Sequence, residues 1–159
     1  MSFQEDWRKI DIDAFETENH LSPEDLIPDS IPATPQSTIE SVSQQIRNQL
    51  STGQFQDALA LALDSAPYVS TPETKSLHAR TVFETLCSIR NNNSLNDLDQ
   101  FIHGLNSEQQ ETLIKYLYKS MSEEYGQKQG GLLLSWFEKA VEIGGLGPIA
   151  RYLTDRRTV

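Results

Sequence analysis

The side chains of this chain that are best suited to covalent or metal chemistry are one cysteine and three histidines. A thiolate at Cys87 would be a nucleophile, but no histidine lies close to it in sequence, and it falls on the apolar face of a predicted helix. His20, His78 and His103 are far apart and lack the short spacing of metal ligands. We therefore predict that Cys87 is a small buried residue, and that the chain has no catalytic residue, metal site or cofactor.

A glycine-rich run at residues 144–148, with the sequence GGLGP, could hold a phosphate at the start of a helix. The run lacks the context that phosphate loops require, because no strand precedes it and no Lys-Ser or Lys-Thr pair follows it. The residues instead favour a helix that ends at Gly144 and Gly145, followed by a sharp turn into a new helix at Gly147 and Pro148.

Composition narrows the classes of partner. The 159 residues carry a net charge of −10, which argues against nucleic acid and anionic membranes, because both select basic surfaces. No apolar run is long enough to span a bilayer, and no signal peptide is visible at the start of the sequence. A single cysteine fits a reducing compartment. These features predict a cytosolic or nuclear protein.

Residues 1–36 differ from the rest and predict an extended, acidic docking arm with a proline-rich linker. Nine acidic residues stand against two basic ones between residues 1 and 35, and four of the seven prolines lie between Pro23 and Pro35. Proline disfavours regular helices and central strands. An acidic segment that keeps a cluster of large apolar residues is typical of arms that become ordered on a partner. The predicted contact residues of the arm are Trp7, Arg8, Ile10, Asp11, Ile12, Asp13 and Phe15.

Residues 37–159 predict an all-α domain of six to seven short helices, arranged as an irregular bundle or short α-solenoid. Ser37 and Glu40 have the spacing of a capping box, and Thr71 followed by Pro72 predicts another helix start. A Gly-Phe-Ala-Leu pattern after Gly53 suggests a tetratricopeptide helix pair, but it does not recur at the period of that repeat. We expect a break between Gly126 and Gly131.

The last 28 residues, 132–159, combine large aromatic side chains with a basic end. Trp136 and Phe137 are adjacent, so they face different sides of one helix, and either both are partly buried or one borders a neighbour. Three arginines follow, which either contact a partner or only complement the last helix dipole. The predicted contact residues of this region are Phe137, Arg151, Arg156 and Arg157.

Together these residues resemble the sixteen-kilodalton subunit family of the actin-related protein 2/3 complex. The matching pieces are WRKIDID at residues 7–13, LIKYLYK at residues 113–119, and the stretch 132–159 with its Trp136, glycine run and terminal Arg-Thr-Val. The likeness spans nearly the whole chain and is weakest over residues 17–36.

The resemblance implies a non-catalytic structural subunit of an assembly that nucleates branched actin filaments, located in the cytoplasm at the cortical actin cytoskeleton. It implies that the helical body docks on the β-propeller subunit and the twenty-kilodalton core subunit. It also implies that the arm tethers the actin-related protein 2 subunit, and that the actin filament is contacted indirectly. The alternatives are a free-standing tetratricopeptide-like adaptor that binds peptides and, in a different class, a small all-α enzyme that uses Cys87.

Overall fold

A computed structural model describes residues 31–92, 97–155 and 157–159. These ranges form eight α-helices and no strand, which confirms the predicted all-α class. The predicted contact residues Trp7, Arg8, Ile10, Asp11, Ile12, Asp13, Phe15 and Arg156 lie outside the described residues. The helices are α1 (Gln36–Ser51), α2 (Phe55–Asp64), α3 (Pro72–Asn92), α4 (Asp97–His103), α5 (Ser107–Ser122), α6 (Glu124–Gln127), α7 (Gly130–Gly144) and α8 (Gly147–Thr154).

The count differs from the predicted six or seven helices because the expected break at residues 126–131 holds a further turn of helix. That turn is α6, and α7 already begins at Gly130. Gly126 is required by close packing, since a Cβ atom there would lie 1.9 Å from the backbone oxygen of Ser120. Nor is every helix short, because α3 runs for 21 residues.

Two helix starts show where local sequence does and does not decide the cap. At α3 the prediction is confirmed, because the Thr74 amide donates to the Thr71 hydroxyl at 3.4 Å, with Pro72 as the first helical residue. At α1 the predicted capping box is wrong. Pro35 is the N-cap, and Glu40 accepts a hydrogen bond from the Gln36 side chain instead. The extended backbone of Pro35 starts the helix two residues earlier than a box with Ser37 as the N-cap requires.

A capping box does form at α5, where the sequence did not suggest one. The Gln109 amide donates to the Asn106 side chain at 2.8 Å, and the Gln109 side-chain oxygen accepts from the Asn106 amide at 3.0 Å. The Gln109 side-chain nitrogen also donates to Asp64 at the end of α2, at 2.9 Å. This cap therefore joins two helices that are far apart in sequence.

The core extends from α1 to α7, and α5 lies at its centre. Trp136 of α7 is completely buried, and its indole nitrogen donates to the Leu86 carbonyl of α3 at 3.3 Å. Helix α5 packs against α2, α3, α6, α7 and α8, and α4 packs against α7. In a solenoid each repeat contacts only its neighbours, so these distant contacts identify the body as an irregular bundle. No helix of the described residues is long and apolar enough to cross a membrane.

Candidate interaction surfaces

The residues considered first for chemistry occupy unrelated places in the fold. Cys87 was predicted to be buried, but it is only half-buried in the structure. Burial together with the nearby Glu84 carboxylate raises the pKa of its thiol. His78 is fully buried with its Nε2 atom 2.9 Å from the Ala62 carbonyl, and burial lowers its pKa. His103 is exposed at the end of α4. Within the described residues no three His, Cys, Asp or Glu side chains are placed to hold a metal ion.

The glycine run forms the predicted turn between two helices. Helix α7 ends at Gly144, Gly145 has a positive φ of 67°, and α8 begins at Gly147 with Pro148 in its first turn. An L side chain rarely adopts the backbone conformation of Gly145, so glycine is favoured there. The turn sends α8 back across α5.

Helix α8 has two apolar faces, and one of them has no covering in the described structure. Its inner face buries Pro148 and stacks Tyr152 on Tyr118 of α5, with ring centroids 4.4 Å apart. The outer face and the N-cap residue before it have exposed residues at the helical spacing i, i+4 and i+7, which we name the α8 stripe: Leu146, Ala150 and Leu153. The two leucines are 75% and 74% exposed. Exposed apolar patches of this kind commonly mark protein interfaces.

Two of the predicted contact residues lie close to this region. Phe137 is half-buried and meets Tyr118 edge-to-face at 5.4 Å, whereas its neighbour Trp136 belongs to the core. The Arg151 side chain is exposed and forms an ion pair with Glu111 of α5. The fold thus places Phe137 and Arg151 around the inner packing of α8, and their role in partner binding stays a prediction.

The third predicted residue, Arg157, is bound to the body rather than free in solvent. Its guanidinium pairs with Asp155 at 2.9 Å and lies 5.3 Å from the ring centre of Tyr68. The same carboxylate accepts from Lys115 of α5 at 2.6 Å, and that ammonium lies 4.6 Å from the same ring centre. Burial acts to raise the pKa of Asp155, but the hydrogen bonds from Arg157 and Lys115 outweigh it and hold the pKa well below its usual range.

The residues that follow continue this attachment. The Lys75 ammonium of α3 donates to the carbonyl of Thr158 at 2.7 Å and to its hydroxyl at 3.1 Å, and Val159 is buried. The basic end, which the sequence predicts either to contact a partner or to complement the last helix dipole, is folded onto α3 and α5 wherever it is described. Nothing in the sequence pattern indicated the contributions of Lys115 and Lys75, because each partner is at least 40 residues away.

The other end of the described chain is also fastened to the body. The Thr34 amide donates to the Val69 carbonyl at 2.9 Å, and the Ser70 hydroxyl donates to the Thr34 carbonyl at 2.9 Å. Both partners belong to the loop between α2 and α3. This pair of hydrogen bonds fixes the start of the described chain on the helical body.

Comparisons with known proteins agree on one family. The model of the ARP2/3 complex 16 kDa subunit (p16-Arc) matches residues 6–159. The chain is 37% identical over 155 residues to actin-related protein 2/3 complex subunit 5 of Saccharomyces cerevisiae, covering 97% of this chain and 98% of that protein. It is 32% identical over 154 residues to subunit 5-B of Xenopus laevis, covering 96% and 94%. It is 29% identical over 153 residues to the human subunit 5-like protein, with the same coverage.

Proposed function

The chain belongs to the ARP2/3 complex 16 kDa subunit family, and from this membership we propose how it acts as a structural subunit of that complex in actin nucleation. The helical body docks on neighbouring subunits, the acidic arm tethers another subunit, and the chain itself carries out no chemistry. Its place is then the cytoplasmic actin cytoskeleton. The observation that carries the proposal is the α8 stripe, an exposed apolar surface on a chain whose relatives are named as subunits of one assembly.

The body supplies the fixed contact. Leu146 and Leu153 project from a helix that is braced on α5 through the stacked rings of Tyr118 and Tyr152, so the stripe is presented on a rigid support. Burying a leucine side chain that is otherwise exposed contributes about 1.5–3 kcal/mol. The occupant is an apolar groove of a neighbouring subunit, which we identify with the β-propeller subunit or the twenty-kilodalton core subunit. Arg151 of the same helix is paired with Glu111 of α5 but is 53% exposed, so a carboxylate at the rim of that groove can share its charge.

The arm supplies a second, separately placed contact. Its apolar residues Trp7, Ile10, Ile12 and Phe15 are the anchors, and the charged residues Arg8, Asp11 and Asp13 set the register on the partner. The partner is the actin-related protein 2 subunit. Because Thr34 is hydrogen-bonded to the body, a docked body holds the arm near its target at a high effective concentration. The arm is then able to keep the partner attached while the two move relative to each other.

The body contact is tested by co-purification of the reconstituted complex with a Leu146→Ser, Leu153→Ser double variant. We expect this chain to be lost from the several-hundred-kilodalton assembly on size exclusion, while its helical circular dichroism is unchanged. The matched control is Leu134→Ser, which alters a leucine of α7 that is 59% exposed but outside the stripe. Full retention of the double variant, or equal loss of the control, would contradict docking through α8.

The arm contact is tested by Trp7→Ala in the same reconstitution. If Trp7 is an anchor, its truncation weakens arm binding by about 2 kcal/mol or more. The actin-related protein 2 subunit should then dissociate more readily, while the body remains in the complex. Phe3→Ala is the control, because Phe3 is an aromatic residue of the same segment that lies outside the family match. Unchanged retention of the actin-related protein 2 subunit with Trp7→Ala would refute the tether.

A further inference from the structure

A cavity of about 490 Å³ lies between the end of α5, the inner face of α8, Asp155 and the folded-back residues 157–159. It falls in the size range of roughly 300–1,000 Å³ that is usual for small-molecule sites. The family assignment gives this cavity no role, and it lies on the opposite side of α8 from the exposed stripe. Its lining residues are Lys115, Tyr118, Lys119, Ser122, Tyr152, Asp155, Arg157, Thr158 and Val159.

The side chains around this cavity are mainly positively charged, whereas the protein as a whole is negatively charged. Lys115, Lys119 and Arg157 line it, and Lys75 is joined to its wall through Thr158, on a chain whose net charge is −10. Only two carboxylates in the described residues are in ion-pair distance of these four cations. Asp155 is shared by Lys115 and Arg157, and Glu123 is 4.0 Å from Lys119. Among the side chains of this cluster, positive charges therefore outnumber negative ones by two.

Lys75 shows that this excess has an energetic cost. Its ammonium donates to the carbonyl and hydroxyl of Thr158, and within the described part of the chain it has no carboxylate partner. Burial and the positive charge of Lys119 lower the pKa of Lys75. Glu111, the next carboxylate close to Arg157, is already paired with Arg151. An anion between Lys75 and Lys119 would remove the repulsion between them.

The neutral lining groups indicate which kind of anion fits. Four residues that carry hydroxyl groups, Tyr118, Ser122, Tyr152 and Thr158, line the cavity together with the two lysines and Arg157. Phosphate oxygens accept several charge-assisted and hydroxyl hydrogen bonds at once, and a phosphate group carries up to two negative charges at neutral pH. We propose that this cavity binds a phosphate-bearing anion with two or more negative charges, held between Lys119 of α5 and residues 157–159.

Binding there would also hold the folded-back segment in place. Lys75 fixes Thr158, and Arg157 and Lys115 are held by Asp155, so an anion that neutralises the cluster stabilises the attachment of Asp155 and residues 157–159. The site belongs to the body alone and does not depend on the assembly. If no anion binds in this cavity, the proposal that the body docks through the α8 stripe is unaffected.

The test is a titration of the full 159-residue chain with inorganic pyrophosphate, followed by ¹⁵N–¹H nuclear magnetic resonance in a phosphate-free buffer. We expect saturable shifts at the amides of Lys119, Ser122 and Thr158. Lys119→Gln should weaken binding at least five-fold. The matched control is Lys128→Gln, which removes the same charge from an exposed lysine that does not line the cavity. Shifts that do not saturate, or equal weakening by both variants, would overturn the site.

A second experiment distinguishes a lipid headgroup from a soluble phosphate compound as the source of the anion. Phosphatidylcholine vesicles with and without phosphatidylinositol 4,5-bisphosphate are sedimented with the chain. Sedimentation with the phosphoinositide vesicles that pyrophosphate competes away supports the site and assigns the ligand to a lipid headgroup. Binding of pyrophosphate with no vesicle binding supports the site and assigns it to a soluble phosphate compound. If neither probe binds, the proposal is wrong.

Discussion

Replacing Asp155 by asparagine tests the attachment of the final residues to the body. The change keeps the shape of the side chain and removes its charge. Lys115 is then left with a side chain that is 7% exposed and with no carboxylate partner, because its ion pair with Asp155 is the one it forms in the described structure. Arg157 is less affected, since its side chain is 42% exposed and its charge is accessible to water.

The expected cost follows from the burial of this pair. Removing one partner of a buried ion pair costs about 3–5 kcal/mol. Lys115 keeps its contact with the Tyr68 ring and a 3.3 Å hydrogen bond to the Arg157 carbonyl, which offsets roughly 1 kcal/mol of that loss. We therefore expect Asp155→Asn to lower the free energy of unfolding by about 2–4 kcal/mol. For a chain of this size that corresponds to a fall in Tm of roughly 5–15 °C.

The assay is urea unfolding at neutral pH followed by circular dichroism, with Lys115→Met and the double variant in the same series. The double variant has no uncompensated buried charge, so it should be more stable than Asp155→Asn alone. Glu124→Gln is the control, because it breaks an ion pair with Lys128 in which both side chains are largely exposed, and it should change stability by no more than about 1 kcal/mol. A cost below about 0.5 kcal/mol for Asp155→Asn, or strict additivity of the two changes, would refute this reasoning.

The same pair predicts a pH dependence. The pKa of Asp155 is held below its usual range in the folded chain, so the folded state keeps this carboxylate ionised when the unfolded state has begun to take up a proton. The stabilisation is complete above about pH 4 and is lost as the pH falls further. Asp155→Asn should lack this part of the acid destabilisation, and an unchanged acid limb in the variant would contradict the assignment.

Four further substitutions test the packing of the body. Gly126→Ala should destabilise the body by about 2 kcal/mol or more, because the new Cβ atom would meet the Ser120 carbonyl. Gly131→Ala has open space around its Cβ position and should stabilise the body by roughly 0.5–1 kcal/mol. Urea midpoints that move in the same direction for both variants would contradict this. Burial lowers the pKa of His78, so as the pH falls the unfolded state takes up a proton before the folded state does. The free energy of unfolding should therefore decrease when the pH is lowered beyond about 6.5. His78→Gln should reduce this pH dependence, which urea midpoints between about pH 7.5 and 5.5 would measure. Trp136→Ala should cost about 3–5 kcal/mol because the ring is fully buried, and a Tm within a degree of the parent would contradict this.

Features that depend on neighbouring residues were predicted well from the sequence. The Thr71 cap, the start of α3 at Pro72 and the turn at residues 144–148 each arise from backbone restrictions that act over a few residues. The family likeness was also carried by local stretches, and the comparisons confirm it. The capping box at Ser37 failed for a local reason as well, because the preceding Pro35 already supplies an extended N-cap.

Features that depend on the whole fold were not predictable in this way. Lys115 and Asp155 are 40 residues apart, and nothing in either segment indicates that the fold buries the lysine against Tyr68. Leu146 and Leu153 differ from that pair, because they are close in sequence and their spacing could have suggested an exposed stripe. The same spacing is also that of an ordinary amphipathic helix, and apolar residues alone do not reveal which of two faces is covered.

The central place of α5 has a consequence for how the body unfolds. In a stack of repeats the ends can fray while the middle stays intact, because each unit rests only on its neighbours. Here α5 contacts elements that precede and follow it throughout the bundle, from α2 to α8. No set of consecutive helices can keep its core after the others are removed. We expect the slowest amides of α5 to exchange with solvent hydrogen only through global opening, so that the body behaves as one cooperative unit.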